Sequence, residues 1–241
     1  ECKDPAALNY GEKTTKDVGC IYPSNLSLSI NAKYGNNTFV LGQGYQHDGR
    51  LVELSTFKFY ISQVRLLRDS EEIPVPDSYF LFDGAEGSEQ TFDLPNIAAT
   101  GDFSGIRFYI GIDSTTNNTK LPTDFSSTPD HPLYNLDMHW GWATGYIFAK
   151  IEGMVDSTGD GTVDKNMGYH LGLDELLREK TIQYDFNLDD INTTELEIDV
   201  DVARFFDGVD VHIENTTHTS NNFPLAEKVM NNAPNAFSKG Q

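Results

Sequence analysis

Apolar residues recur at every second position in two stretches of the chain: Ile106, Phe108, Ile110 and Ile112, and later Leu196, Ile198, Val200 and Val202. Successive strand side chains point to opposite faces, so each set reads as the inner face of a half-buried strand. Glu195, Glu197, Asp199 and Asp201 then fall on the other face, which reads as a solvated sheet surface rather than a row of metal ligands. Strand-like runs begin at Leu26, and the same criteria predict strands over 36–42, 52–67, 78–82, 140–152, 181–187 and 208–214. Clusters of Gly, Asn, Asp and Pro separate them. Helical patterning is confined to a short turn at 173–179 and a piece from Pro224, with Asn222 placed to cap it and Pro234 to end it. The expectation is an all-β chain: an antiparallel β-sandwich with short helical pieces, one near the C-terminus. Residues 1–24 lack periodicity and read as a leader or linker, and 25–241 as a single domain without internal repeats.

Length and charge narrow the function. The 241 residues suffice for one sizeable core. Seventeen Lys plus Arg against 37 Asp plus Glu give a formal charge of −20, which repels nucleic acid and anionic membranes and attracts cations. No apolar run approaches the length of a membrane span, and no secretion signal is legible in the residues given. The two cysteines, Cys2 and Cys20, suit either a disulfide that pins the N-terminal segment or a lipid-anchored cysteine. Both readings place the chain outside the cytoplasm. The motifs of nucleophile elbows, zinc proteases and phosphate loops are missing, so the chain reads as a binding protein and not an enzyme.

The stretch from His131 to Tyr146 holds both tryptophans and two of the six histidines. On a strand, Met138, Trp140 and Trp142 would share one face and His139 would take the other. Imidazole and thioether suit copper, and Cu(I) accepts two or three such ligands. A bulky core strand would give the same composition. An intact indole is a donor only and cannot be a conventional ligand. His47 and His218 sit in polar, loop-like segments, and His212 alternates with Val211 and Ile213, so all three read as surface residues. A second constellation, Asp156, Asp160 and Asp164 with Gly161 between them, has the spacing of a calcium loop, but Met167 stands where such loops place their closing acid.

Met138-His139-Trp140-Gly141-Trp142-Ala143-Thr144-Gly145-Tyr146 resembles the Met-x-Trp-x-Trp-x-x-Gly-Tyr core of the MbnP-like family, the methanobactin-associated copper-binding proteins. Glu152-Gly153, the element Tyr169-His170-Leu171-Gly172, and the upstream segments 58–66 and 109–113 resemble further family features in the same order, over roughly residues 26 to 237. The resemblance implies a β-sandwich that binds copper through histidines and a kynurenine formed from tryptophan by a di-haem, peroxidase-like partner enzyme. Opening the indole would create an aryl amine and a ketone, either of which can donate to a metal. Carried over by position, His170 matches the histidine after the long loop, and Trp140 or Trp142 is the residue to be oxidised. The chain departs from the pattern upstream, where an Asn-His pair is replaced by His131 in a His-Pro-Leu-Tyr context. The ligands expected from this are His131 and His170, with Met138 nearby and His139 in reserve, in a periplasmic or surface protein of a bacterium. The competing expectation is an extracellular, calcium-stabilised carbohydrate-binding or adhesion module that uses the tryptophans as stacking platforms. Exposure separates the two, since sugar platforms face solvent.

Overall fold

The computed structural model of the chain describes residues 2–5, 7–11, 19–20, 22–141 and 145–240. Its first half comprises β1 (Ser24–Tyr34), β2 (Asn37–Thr38), β3 (Gly44–His47), β4 (Arg50–Arg68), β5 (Glu71–Pro74), β6 (Tyr79–Asp83), β7 (Glu89–Ile97), β8 (Gly101–Ile110) and helix α1 (Ser114–Thr119). Then follow β9 (Ala149–Val155), β10 (Lys165–Leu171), β11 (Arg178–Leu188), β12 (Thr193–Asp201), β13 (Thr216–Thr217), α2 (Phe223–Ala236) and β14 (Phe237–Lys239).

Two sheets pack as a sandwich. In the smaller, β1 is the hub: β12 joins it in parallel, β7 and β2 join it antiparallel, and β14 extends β12. The larger runs β11-β8-β4-β9-β10-β13, with β3, β5 and β6 also on β4. The 19 residues of β4 are enough to serve all these partners, with a register shift between Ser62 and Arg65 where Gln63 takes a φ of 54°. The predicted alternation is present: Ile106, Phe108 and Ile110 on β8, and Leu196, Ile198 and Val200 on β12, are all buried. Between the sheets the rings interlock, with Phe59 stacked on Phe82 at 5.0 Å and edge-on to Phe237 at 5.3 Å. Such pairs add specific geometry to the burial that drives the core.

Local chemistry overrides the alternation in several places. The expected strand at 140–152 begins only at Ala149. Before it, Asn135 accepts hydrogen bonds from the N–H groups of Asp137 and Met138 and winds Leu136–Met138 into a 3-10 turn. Met138 and Trp140 therefore do not share a strand face; Trp142 lies outside the described residues. The segment 208–214 is turns, because the carbonyl of Asp210 accepts from the N–H groups of both Ile213 and Glu214. Within 36–42 only Asn37–Thr38 pair. The turn expected at 173–179 is a single 3-10 turn, Asp174–Leu176. Asn222 caps α2 as expected, but the helix runs through Pro234 to Ala236. Cys2 and Cys20 form a disulfide, which occupies the thiol that a lipid on Cys2 would need. Among the described residues no helix is long and apolar enough to cross a membrane.

Candidate metal centre

Tyr169 and Leu171 point into the core from β10, so the alternation turns His170 to the outer face of the larger sheet. The antiparallel register sets His170 against Lys150 and Gly168 against Glu152 on β9. On that face Glu152 Oε1 meets His170 Nε2 at 2.7 Å, and Glu152 Oε2 accepts a hydrogen bond from the Thr56 hydroxyl at 3.0 Å. A carboxylate only accepts, so Nε2 of the neutral ring carries the hydrogen and Nδ1 keeps its lone pair. Burial pushes the His170 imidazole below its ordinary value, an effect that Glu152 opposes in part. For Glu152, burial works upward and is outweighed by the hydrogen bonds from His170 and Thr56, which hold the carboxyl below its ordinary range.

A second imidazole comes from far along the chain. Strand β13 runs parallel to β10 with Tyr169 against Thr217, so the next residue, His218, emerges beside His170. The two rings lie 4.4 Å apart. Thr219 fastens this approach: its hydroxyl donates to the His170 carbonyl at 2.7 Å and accepts from the Gly172 N–H at 3.1 Å.

Trp140 closes over the same place, its ring 6.3 Å from that of His170. The loop that carries it is held down by Asp137, which bonds Lys150 at 2.6 Å and Lys58 at 3.3 Å. Further along, Asn117 accepts from the Tyr146 N–H at 2.8 Å and donates to Asp174 at 2.7 Å. Gly172 permits the close fit: a Cβ there would come within 2.3 Å of the Tyr146 carbonyl and 3.1 Å of the indole nitrogen of Trp140. Trp140 is only 7% exposed, which is the burial of a pocket wall and not of a stacking platform.

The other expected residues go elsewhere. His131 stacks on Phe125 at 4.2 Å and tilts towards Tyr79, and its Nδ1 accepts from the Leu133 N–H, so its ring contacts are not with His170 or Trp140. His139 stands edge-on to Tyr146, with Nε2 buried and unbonded. Met138 is fully buried in the core. Burial lowers the imidazoles of both His131 and His139. His218 does face solvent, as its polar surroundings suggest, yet it joins His170; His47 is buried, contrary to the surface reading. No signal in the sequence marks His218, because its position depends on a strand pairing across 48 residues.

In the acidic loop the carboxylates are turned on their own backbone. Asp156 accepts from the N–H groups of Thr158, Gly159 and Gly161, Asp160 from Thr162, and Asp164 from the N–H and hydroxyl of Ser157. Burial would raise the Asp156 carboxyl, but these donors hold it below its ordinary range. Among the described residues no three His, Cys, Asp or Glu side chains are gathered to hold a metal ion. At Trp140 the donor set is two imidazoles, one of them oriented by a carboxylate as metal-binding histidines commonly are, beside an indole.

No curated protein sequence matches the chain. Among solved structures it is similar to MbnP from Methylosinus trichosporium, with 13% identity over 78% of each chain and a TM-score of 0.52, a likeness of fold. The sequence model of the family designated MbnP matches residues 23–225. The chain belongs to the MbnP family.

Proposed function

We propose that the protein is an extracytoplasmic copper-binding protein in which His170 and His218 hold the metal, preferentially as Cu(I), and an oxidised Trp140 supplies a third donor. The observation that carries this is the grouping of Trp140, His170 and His218, with Glu152 fixing the His170 proton on Nε2. Neutral imidazoles suit copper, and a soft ion of low coordination number is satisfied by three ligands. Two imidazoles fall one short, and the buried indole is the neighbour that could make up the set. Two equivalents of hydrogen peroxide, with a di-haem, peroxidase-like partner, would cleave the pyrrole ring of Trp140, leave one oxygen atom on each of the two separated carbons and release two water molecules; hydrolysis of the resulting N-formyl group would then release formate and leave kynurenine. The disulfide supports an oxidising compartment, periplasmic or at the cell surface.

This is a binding role and not a catalytic one. It differs from the expectation for His131 by taking His218 as the partner of His170. The burial of Trp140 favours it over a carbohydrate-binding module. Calcium at Asp156, Asp160 and Asp164 would have to displace the N–H groups that now occupy those carboxylates, so any such binding would be weak. The test is peptide mass spectrometry of protein from its native host, read with copper uptake. Kynurenine at Trp140, together with uptake that depends on His170, supports the proposal; intact Trp140 with uptake indifferent to His170 overturns it.

A further inference from the structure

A second pair of histidines, His47 and His212, lines one pocket at the tip of the β3–β4 hairpin, apart from the residues around Trp140. Asp48 and Gly49, with φ of 47° and 78°, make the tight turn that returns the chain from His47 to Arg50. His47, Asp48 and Arg50 then line a pocket of about 330 Å³ with Asp210 and His212 of the turn at 208–214.

Each ring has one nitrogen turned to a protein oxygen. His47 Nε2 lies 3.3 Å from the carbonyl oxygen of Phe206, which can only accept, so Nε2 carries the hydrogen and Nδ1 the lone pair. The ring is held by burial and by its edge-on contact with Phe206 at 5.7 Å. His212 Nδ1 is buried in ion-pair contact with the Asp210 carboxylate, without a hydrogen bond, and Nε2 is the nitrogen left for a ligand. A carbonyl behind one imidazole and a carboxylate behind the other are the outer partners that orient metal-binding histidines and raise their basicity. Asp48 and Asp210 outweigh the single guanidinium of Arg50, so the lining is net anionic and admits a cation.

We infer that His47 and His212 form a second metal site, for a borderline divalent ion such as Zn(II) or Cu(II), with two imidazole ligands and water in the remaining positions. Imidazole suits such ions better than it suits calcium or magnesium. The site is independent of the copper proposal, and its ions differ in charge and softness from Cu(I).

Zn(II) titration of the full chain, followed through the imidazole nitrogens by NMR, tests it. The first equivalent is expected to move the ring signals of His47 and His212 together. His212→Gln should weaken Zn(II) uptake by more than the roughly 10–100-fold that loss of an outer-shell partner costs, and His47 should then stop responding. If Zn(II) moves only His170 and His218, or moves no imidazole, the site does not exist. Because the wild-type spectra decide this, the outcome does not depend on the variant folding.

Discussion

Glu152 Oε1 lies 2.7 Å from Nε2 of His170, and this contact determines which nitrogen of the ring can serve a metal. With the hydrogen held on Nε2, Nδ1 is the donor. Removing the carboxylate frees the ring to rotate and to change tautomer. Glu152→Ala is therefore expected to weaken copper binding by about 10–100-fold, and Glu152→Gln, which still accepts through its carbonyl, to weaken it less. Copper competition titrations check this. Equal losses in the two variants would mean that the charge of Glu152 matters and its hydrogen bond does not.

Burial lowers the imidazoles of His131, His139 and His170 from the ordinary 6.5. A group whose folded value is depressed binds its proton more readily when unfolded, so stability is full above 6.5 and declines as pH falls towards the folded values. Metal-free protein should show a lower urea midpoint near pH 5.5 than near pH 7.5, above the range where its carboxylates titrate. A midpoint unchanged between the two would contradict the burial of these rings. Copper affinity should fall in the same direction, since protonation of His170 removes the lone pair that coordinates.

Gly172 is predicted to be intolerant of any side chain. Its Cβ would press on the Tyr146 carbonyl, and backbone cannot move aside as a flexible side chain can. Gly172→Ala should cost about 1–3 kcal/mol of stability, as overpacking of a filled core does, and should push Trp140 away from His170. Chemical denaturation measures the first effect, and indole fluorescence with copper titration the second. A variant as stable as wild type would show that the approach of these two segments is looser than described.

Asn117 ties the far end of the Trp140 loop to Asp174. In Asn117→Leu the buried Tyr146 N–H loses its acceptor, for an expected cost of about 1–3 kcal/mol. Amide hydrogen exchange at Tyr146 should speed up before exchange in β9 does. Unaltered protection of that amide would remove Asn117 from the account.

Much of the sandwich is legible from alternation alone, because β8 and β12 each bury one face and a one-residue slip would expose it. Alternation fails at 140–141, at 145–148 and at 208–214. Asn135 and Asp210 satisfy backbone groups locally, and Trp140, Val209 and Val211 are buried without strand pairing while Ile213 is left exposed. His170 and Trp140 were accessible through the family motif. His218 was not, since only the parallel pairing of β13 with β10 carries it to His170. His131 is closer to Trp140 in sequence, but stacking on Phe125 takes its ring into another cluster.

The central claim is that Trp140, His170 and His218 form one copper site, and the most direct measurement is Cu(I) titration of protein from its native host, with Trp140 checked by peptide mass spectrometry. The account predicts one copper ion per chain, kynurenine at Trp140, loss of binding in His170→Ala and in His218→Ala, and retention in His131→Ala. Intact Trp140, with copper uptake unchanged in His170→Ala, would contradict it.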